Sequence, residues 1–149
     1  MDMAVEQDLS RVAARLGSDY FLRALGLITA LHDGDIITAI IWQAIVTANT
    51  AHLDPGEYTG AAAPPPDDLR RPVSVLSLSQ SLGMPFETTR RYVNRMIEAG
   101  QCERIRGGVV VPARVLNSER YQAARLENLA YLRRLGREMQ RAGVLKASA

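Results

Sequence analysis

The first third of the chain has the apolar spacing of amphipathic helices. Apolar residues recur at intervals of three and four, which is the repeat of one helix face. The first such stripe consists of Val5, Leu9, Val12 and Leu16. We expect this helix to end at Gly17, a second helix to begin with Ser18 as its N-cap, and a third to span residues 36–52. Asp33 or Asp35 is placed to cap the third helix.

The third helix is apolar nearly all round its circumference. Its large apolar residues fall on two adjoining faces and include Ile36, Ile37, Ile40, Ile41, Trp42 and Ile45. A helix of this kind must be covered on several sides. We therefore expect part of its surface to meet a second subunit.

Residues 53–72 predict a loop between two parts of the chain. The segment holds five prolines and two glycines and shows no apolar period. The pattern after it predicts a short helix whose inward residues are Leu76, Leu78 and Leu82. Gly83 ends that helix, and Pro85 stands at or near the start of the next one, where a missing N–H is tolerated.

The last third predicts a hairpin and a long helix. The pair Gly107-Gly108 between two short apolar runs is a strong signal for a hairpin turn. A long helix is expected over residues 117–143, with Asn117 or Ser118 as its cap. Its apolar arc is wider than an isolated helix needs, so this helix also offers a surface for pairing.

The helix after Pro85 carries three arginines, and its rotation decides where they point. At about 100° per residue, one narrow arc contains Thr89, Val93, Met96 and Gly100, with Ile97 beside it. This arc is the expected core stripe, and Arg90 and Tyr92 flank it. The opposite side holds Glu87, Arg91, Asn94, Arg95 and Glu98, with Thr88 at its edge. Side chains of these types address base edges and phosphates.

Charge is distributed unevenly along the chain. Residues 1–69 hold 3 arginines against 10 acidic residues, a net charge of −7, whereas residues 70–149 hold 15 basic against 6 acidic residues, a net charge of +9. The basic half indicates a polyanionic partner. Arginine makes up all but one of the basic residues, and its planar fork binds phosphates and guanine edges in pairs of hydrogen bonds.

The residues that commonly carry enzyme chemistry do not form a recognisable site. His32 and His52 bracket the third helix and are expected roughly 30 Å apart, too far to share a metal ion. No CxxC or HExxH spacing occurs, so we expect no catalytic site, metal or cofactor. The single cysteine, Cys102, fits a small buried position, and a redox-sensing thiol beside Arg104 is the alternative.

The compartment follows from the same residues. A lone cysteine fits a reducing cytoplasm, and the acidic start of the chain does not resemble a signal peptide. The longest apolar run has 13 residues, whereas a bilayer span needs about 20. We therefore expect a cytoplasmic protein without a membrane partner.

The stretch "LSQSLGMPFETTRRYVNRMIEAG" resembles the DNA-reading segment of GntR-type and Crp-type bacterial regulators. The shared features are Gly83 followed by an apolar residue, the "ETTRR" opening, and the apolar positions that lead into "EAG". In the Crp-type segment an acidic residue and a following arginine read bases, and these match Glu87 and Arg91. Pro85 and Phe86 depart from the pattern, which usually has Ser or Thr and then a polar residue there.

The overall layout resembles the MarR-type regulators, with flanking helices that pair two subunits. The long wing of that family is absent, because this hairpin turns directly on Gly107-Gly108. The resemblance implies a mainly α fold with a small β hairpin, namely a winged helix-turn-helix with flanking N-terminal and C-terminal helices. The expected domains are a dimerising helical region at 1–52, the loop at 53–72, the winged helix at 73–112 and a dimerising helix at 113–149.

These observations predict a transcriptional regulator that binds double-stranded DNA as a homodimer. The expected DNA-binding residues are Ser77, Ser79, Glu87, Thr88, Arg90, Arg91, Asn94, Arg95, Arg104 and Arg106. The alternative is a winged-helix module for protein interaction or assembly that does not bind DNA directly. A small-molecule effector is a further option. Its chemistry stays open, since only Gln43, Thr47 and Asn49 offer polar groups among the first helices.

Overall fold

The protein is mainly helical and has one small antiparallel sheet. The computed structural model describes residues 2–55 and 65–146, so residues 56–64 of the predicted loop lie outside it. The elements are α1 (Met3–Leu31), α2 (Ile36–Thr50), a 3-10 turn (Asp67–Leu69), α3 (Val75–Leu82), α4 (Phe86–Glu98), β1 (Glu103–Ile105), β2 (Gly108–Val110), α5 (Ala113–Leu116) and α6 (Glu119–Arg141). Within the described residues, no single helix is long and apolar enough to cross a membrane, and α1 with α2 meets that test only as a pair bent by 99°.

The predicted break at Gly17 is wrong, because α1 runs through it as one helix of 29 residues. Gly17 keeps a helical backbone and Ser18 is an exposed interior residue, not a cap. A glycine inside a helix costs only about 1 kcal/mol relative to alanine. Strong helix formers on both sides of Gly17 outweigh that cost. Asp35 caps α2 as one of the two predicted options, since its carboxylate accepts from the backbone N–H groups of Ile37 and Thr38.

The chain divides into two compact units. The first consists of Met1–Ile28 with Ala123–Ala149, and the second consists of Thr29–Gln122. The second unit is therefore longer at both ends than the predicted winged-helix range of 73–112. It includes α2, because this helix packs against α3, α4 and β2.

The core of the second unit is built around α2. Its buried apolar residues are Ile41, Trp42, Ile45, Val75, Leu78, Val93, Met96, Cys102, Val109, Val111 and Leu116. Ile41 and Ile45 are completely buried within this one chain. The helix that needed cover on several sides thus receives most of it from α3, α4 and β2.

Asn49 at the end of α2 joins the helix to two extended segments. Its amide nitrogen donates to the carbonyl oxygens of Arg71 at 2.7 Å and Val109 at 3.1 Å, and its oxygen accepts from the N–H of Val111 at 2.9 Å. Val73 forms an isolated antiparallel bridge with Val109, which holds the extended segment around Val73 beside the two-stranded sheet. Asn49 therefore has a structural role, and it is fully buried.

The β1–β2 hairpin turns where Gly107-Gly108 predicted it. Glu103 pairs with Val110 and Ile105 pairs with Gly108 in antiparallel register. Gly108 has a φ of 148°, and a Cβ there would lie 2.3 Å from the carbonyl oxygen of Val73. Because that neighbour is backbone, no other residue fits at this position without shifting the strand.

The turn between α3 and α4 follows the sequence prediction closely. Gly83 adopts the left-handed conformation with a φ of 63°, and Pro85 stands immediately before the first turn of α4. The prediction that Leu76 faces inward is wrong, because Leu76 is 54% exposed. The inward stripe runs through Val75, Leu78, Ser79 and Leu82, and Leu76 lies about 200° round the helix from Leu78.

The C-terminal part contains a short helix that the pattern did not predict. α5 ends at Leu116, Asn117 terminates it, and α6 begins at Glu119. Asn117 is therefore the C-cap of α5, and the other predicted cap, Ser118, stands immediately before α6. Gly143 has a φ of 76° just beyond α6, as expected for a terminator.

The first unit has no buried core residue among those described. Neither α1 nor α6 contains a buried residue, although Tyr20 donates a hydrogen bond to Asn128 at 3.0 Å. Large apolar side chains are exposed on both helices, including Val5, Val12, Phe21, Leu22, Leu126, Leu129 and Leu132. Leu126 is 70% exposed. This apolar surface is unusual for helices that work alone.

Candidate nucleic-acid interface

The outward face of α4 consists of the residues that the helical period predicted there. Glu87, Arg91, Arg95 and Glu98 are exposed, and Thr88 and Asn94 are half-buried at the edges. The core side buries Thr89, Val93 and Met96, as predicted. Gly100 is the exception: it is exposed because α4 ends at Glu98, and it has a φ of 73°.

Glu87 is engaged by a neighbour on its own helix. Arg90 donates to one carboxylate oxygen of Glu87 through Nε at 3.0 Å and Nη2 at 2.9 Å. This hydrogen bond, with the Glu87 charge, raises the pKa of Arg90. Glu87 and Arg91 match the base-reading pair of the Crp-type segment, but the side chain that pairs with Glu87 within α4 is Arg90.

Arg95 and Arg91 have different surroundings. The guanidinium carbon of Arg95 lies 4.3 Å from the ring centroid of Tyr92, a cation–π contact that orients the side chain. Arg91 is exposed, and its side chain has no hydrogen bond or ion pair with any other described residue. All five N–H donors of Arg91 are therefore available to a ligand.

The hairpin contacts α4 through one side-chain pair. Arg104 on β1 donates from Nη2 to the side-chain oxygen of Asn94 at 3.1 Å. Because the oxygen of Asn94 is occupied, its amide N–H groups remain as donors. Arg106 is exposed at the turn of the hairpin, so the hairpin carries two exposed arginines, of which Arg104 contacts α4.

The two serines of α3 have different positions. Ser77 is exposed, and its N–H donates to the Oγ of the helix cap Ser74 at 3.0 Å. Ser79 is only 5% exposed, and its Oγ donates to the carbonyl oxygen of Leu76 at 2.8 Å. Ser79 lies on the inward stripe because it is four residues, about one turn, after the buried Val75, and it cannot contact a ligand at this surface.

Arg71 is an exposed cation that was not among the predicted DNA-binding residues. It lies two residues before Val73, the residue that bridges to β2. The next residue, Pro72, lies close to the hairpin turn, since a Cβ on Gly107 would be 3.2 Å from Pro72 Cγ. Arg71 could have been predicted as a site residue only if its segment had been known to pair with the hairpin. That pairing joins Val73 to Val109, which are far apart in the sequence.

Cys102 is a core residue and not a reactive thiol. It is 1% exposed, and burial raises its pKa to about 11, with the Arg104 charge opposing the shift only in part. The thiol therefore stays protonated at neutral pH. This is the opposite of what a redox-sensing thiolate requires.

His32 lies in the core of the second unit beside two aromatic rings. Its ring centroid is 5.3 Å from that of Trp42 and 6.3 Å from that of Tyr121, and these two rings stack at 4.7 Å. It is 3% exposed, and neither ring nitrogen has a hydrogen-bond partner among the described residues. In that part of the chain no group of three or more His, Cys, Asp or Glu side chains is placed to hold a metal ion.

Burial lowers the pKa of His32, and the Arg120 charge lowers it further, against smaller opposite effects of Gln101, Asp35 and Asp33. The unfolded chain therefore takes up a proton at this histidine at a higher pH than the folded chain does. Stability at this site is unaffected well above pH 6.5 and falls as the pH drops below about 6.5 towards the lowered folded pKa.

His32→Phe is expected to reduce the loss of stability on acidification. The wild-type histidine contributes a slope of up to about 1.4 kcal/mol per pH unit below pH 6.5, whereas phenylalanine keeps an apolar ring and cannot titrate. Urea unfolding at pH 7.5 and pH 5.5 measures the difference, with the exposed His52→Gln as control. An unchanged pH dependence in His32→Phe would contradict this role.

The described part of the interface carries more positive than negative charge. It includes six arginines, Arg71, Arg90, Arg91, Arg95, Arg104 and Arg106, and three carboxylates, Glu87, Glu98 and Glu103, the last of which pairs with Arg114. A helix surface with free guanidinium and amide donors can hydrogen-bond phosphates and the edges of bases. Comparisons of the chain with protein-family models, with curated proteins and with solved structures give no match.

Proposed function

We propose that this protein is a transcriptional regulator that binds double-stranded DNA sequence-specifically as a homodimer. The observation that carries the proposal is the outward face of α4, where Arg91 is exposed and has no partner among the described residues. Guanidinium groups recognise guanine through two parallel hydrogen bonds in the major groove. An exposed arginine on a helix that is fixed by a buried stripe is suited to that contact.

A winged helix-turn-helix is the fold identity that we propose for the second unit. The order of α2, the bridged Val73, α3, α4 and the β1–β2 hairpin supports it. The turn at Gly83 holds α3 and α4 in contact, and α4 packs its buried stripe against α2. In this arrangement α4 would enter the major groove and the hairpin would form the wing.

The proposed roles follow from the surroundings of each side chain. Arg91 reads a guanine, and Asn94 offers its amide N–H groups to a base or a phosphate. Arg95 is held by the Tyr92 ring and contacts phosphates. Glu87 keeps Arg90 folded against α4, so that Arg90 contributes charge to the surface and does not read a base.

The hairpin and α3 supply the remaining proposed contacts. Arg104 and Arg106 approach the backbone or the adjacent minor groove, where narrow grooves attract arginine. Thr88, near the start of α4, and Ser77, at the start of α3, are placed to hold phosphates. We add Arg71 to the proposed DNA-binding residues, because it is exposed, and remove Ser79, because it is buried.

The homodimer rests on the apolar surface of the first unit. Because α2 is largely covered within its own chain, the exposed apolar residues of α1 and α6 are the main unpaired surface among the described residues. A winged helix reads only a few base pairs, and two copies about one DNA turn apart, roughly 34 Å, give a site long enough for specificity. Of the two pairing surfaces expected from the sequence, the C-terminal helix is kept in this proposal as α6, and α1 replaces residues 36–45.

Selection of bound duplexes from a random pool tests the proposal. We expect enrichment of a two-fold symmetric sequence with half-sites about 10 base pairs apart. The mass of the selected complex, measured by sedimentation, should correspond to two chains of 16.4 kDa per duplex. A pool that shows no enrichment, with a chain that sediments as a monomer, would contradict the proposal and favour a protein-docking module.

A further inference from the structure

A cleft in the first unit combines an apolar wall with two arginines. It has a volume of about 420 Å³ and lies between α1 and α6. Its lining residues are Val12, Arg15, Leu16, Glu138, Arg141 and Ala142. Ligand-binding clefts commonly have volumes of about 300–1,000 Å³ and combine apolar walls with a few polar groups.

The charge of the cleft is uncompensated. Arg15 and Arg141 are exposed, and neither has a hydrogen bond or ion pair with another described residue. The one carboxylate in the lining, Glu138, accepts a hydrogen bond from Arg134 at 3.1 Å and is paired with it. The cleft therefore presents two free guanidinium groups without a free carboxylate.

The apolar part of the lining gives the ligand a second requirement. Val12 and Leu16 lie one turn apart on α1, and Ala142 lies just beyond the end of α6. An inorganic anion leaves these side chains uncovered. A neutral apolar molecule leaves the two guanidinium groups without acceptors.

We infer that this cleft binds a small organic anion, a carboxylate with a short aliphatic chain. Arginine pairs with carboxylates through two parallel hydrogen bonds, and the chain would cover Val12 and Leu16. The inference does not depend on DNA binding, because every residue that it uses belongs to the first unit. It assigns Val12 to the cleft, so the pairing surface of the proposed homodimer consists of the other exposed apolar residues of α1 and α6. It assigns a chemical class to an effector, which the sequence left open.

Calorimetric titration of the full chain with hexanoate, without DNA, tests the inference. We expect one hexanoate per chain and at least tenfold weaker binding of both hexan-1-ol, which lacks the charge, and acetate, which lacks the chain. Equal binding of hexanoate and acetate would overturn the apolar requirement. Failure of hexanoate to bind would overturn the inference and would leave the proposed DNA binding unaffected.

Three variants locate the site. Arg15→Gln and Arg141→Gln each remove one guanidinium and should weaken hexanoate binding at least tenfold. Arg11→Gln is the matched control, because Arg11 is exposed on the same helix, pairs with Asp8 and does not line the cleft. It should change the affinity less than threefold. Matching thermal unfolding of all variants shows that they are folded, and equal hexanoate affinity in all of them would place the ligand elsewhere.

Discussion

Asn49→Ala is expected to lower the free energy of unfolding by about 2–4 kcal/mol. The substitution removes two donors and one acceptor that serve the backbone of Arg71, Val109 and Val111. The Val111 N–H loses its recorded partner in a completely buried position, and an unsatisfied buried group costs about 1–3 kcal/mol. The loss at Val109 costs less free energy, because the carbonyl oxygen of Val109 also accepts from the N–H of Val73.

Urea unfolding measures this effect, and a second substitution in α2 controls for helix propensity. Thr47→Ala alters an exposed residue of the same helix and should change stability by no more than about 0.5 kcal/mol. A loss below about 1 kcal/mol for Asn49→Ala would show that the amide does not hold α2 to the extended segments. The fold of the proposed DNA-binding unit would then rest on apolar packing alone.

Arg91→Ala is expected to cost about 1–3 kcal/mol of binding free energy on a selected duplex and to relax the preference at one base pair. Arg95→Ala should weaken binding to all duplexes by similar factors, since a phosphate contact carries no sequence information. Both residues are exposed, so neither substitution should alter the stability of the chain by more than about 0.5 kcal/mol.

Fluorescence anisotropy with the selected duplex and with single-base variants of it measures both effects. The two arginines lie on the same helix and carry the same charge, so each variant controls for the charge lost in the other. If Arg91→Ala leaves affinity and base preference unchanged, the outward face of α4 does not read bases in the proposed way. A uniform loss in Arg91→Ala would reassign Arg91 to a phosphate.

Local rules were enough to predict the turn and the orientation of α4. The left-handed Gly83, the position of Pro85 and the buried stripe of α4 all follow from residue type and helical period. The hairpin at Gly107-Gly108 follows from turn chemistry in the same way. These features depend on residues close together in the sequence, which a single chain reveals.

Features that depend on competition or on distant contacts were predicted poorly. Gly17 could not be judged locally, because its cost is small against the propensity of the surrounding 29-residue helix. Ser79 faces inward because it shares a helix face with Val75 and Leu78, at a spacing of three and four residues, whereas Leu76 lies about 200° round the helix from Leu78. Arg90 and Arg91 follow Glu87 by three and four residues, and side chains at both spacings can meet on a helix, so spacing alone does not choose between them.

Asn49 shows the same limit for polar residues. In the sequence it was one of three polar groups that a ligand could meet, and in the structure it is consumed by backbone contacts 22, 60 and 62 residues away. A polar residue at the end of an apolar helix is compatible with both roles until the distant strand is placed. The cleft of the first unit was missed for the same reason, since Arg15 and Arg141 are far apart in sequence.

The salt dependence of duplex binding tests the central claim most directly. If each of two chains places about three arginines on phosphates, the logarithm of the association constant should fall against the logarithm of salt concentration with a slope of about −5. Anisotropy titrations of the wild-type chain between low and physiological salt give this slope. An affinity for duplex that does not change with salt concentration, or the absence of binding to any duplex at low salt, would contradict the claim that this protein binds DNA.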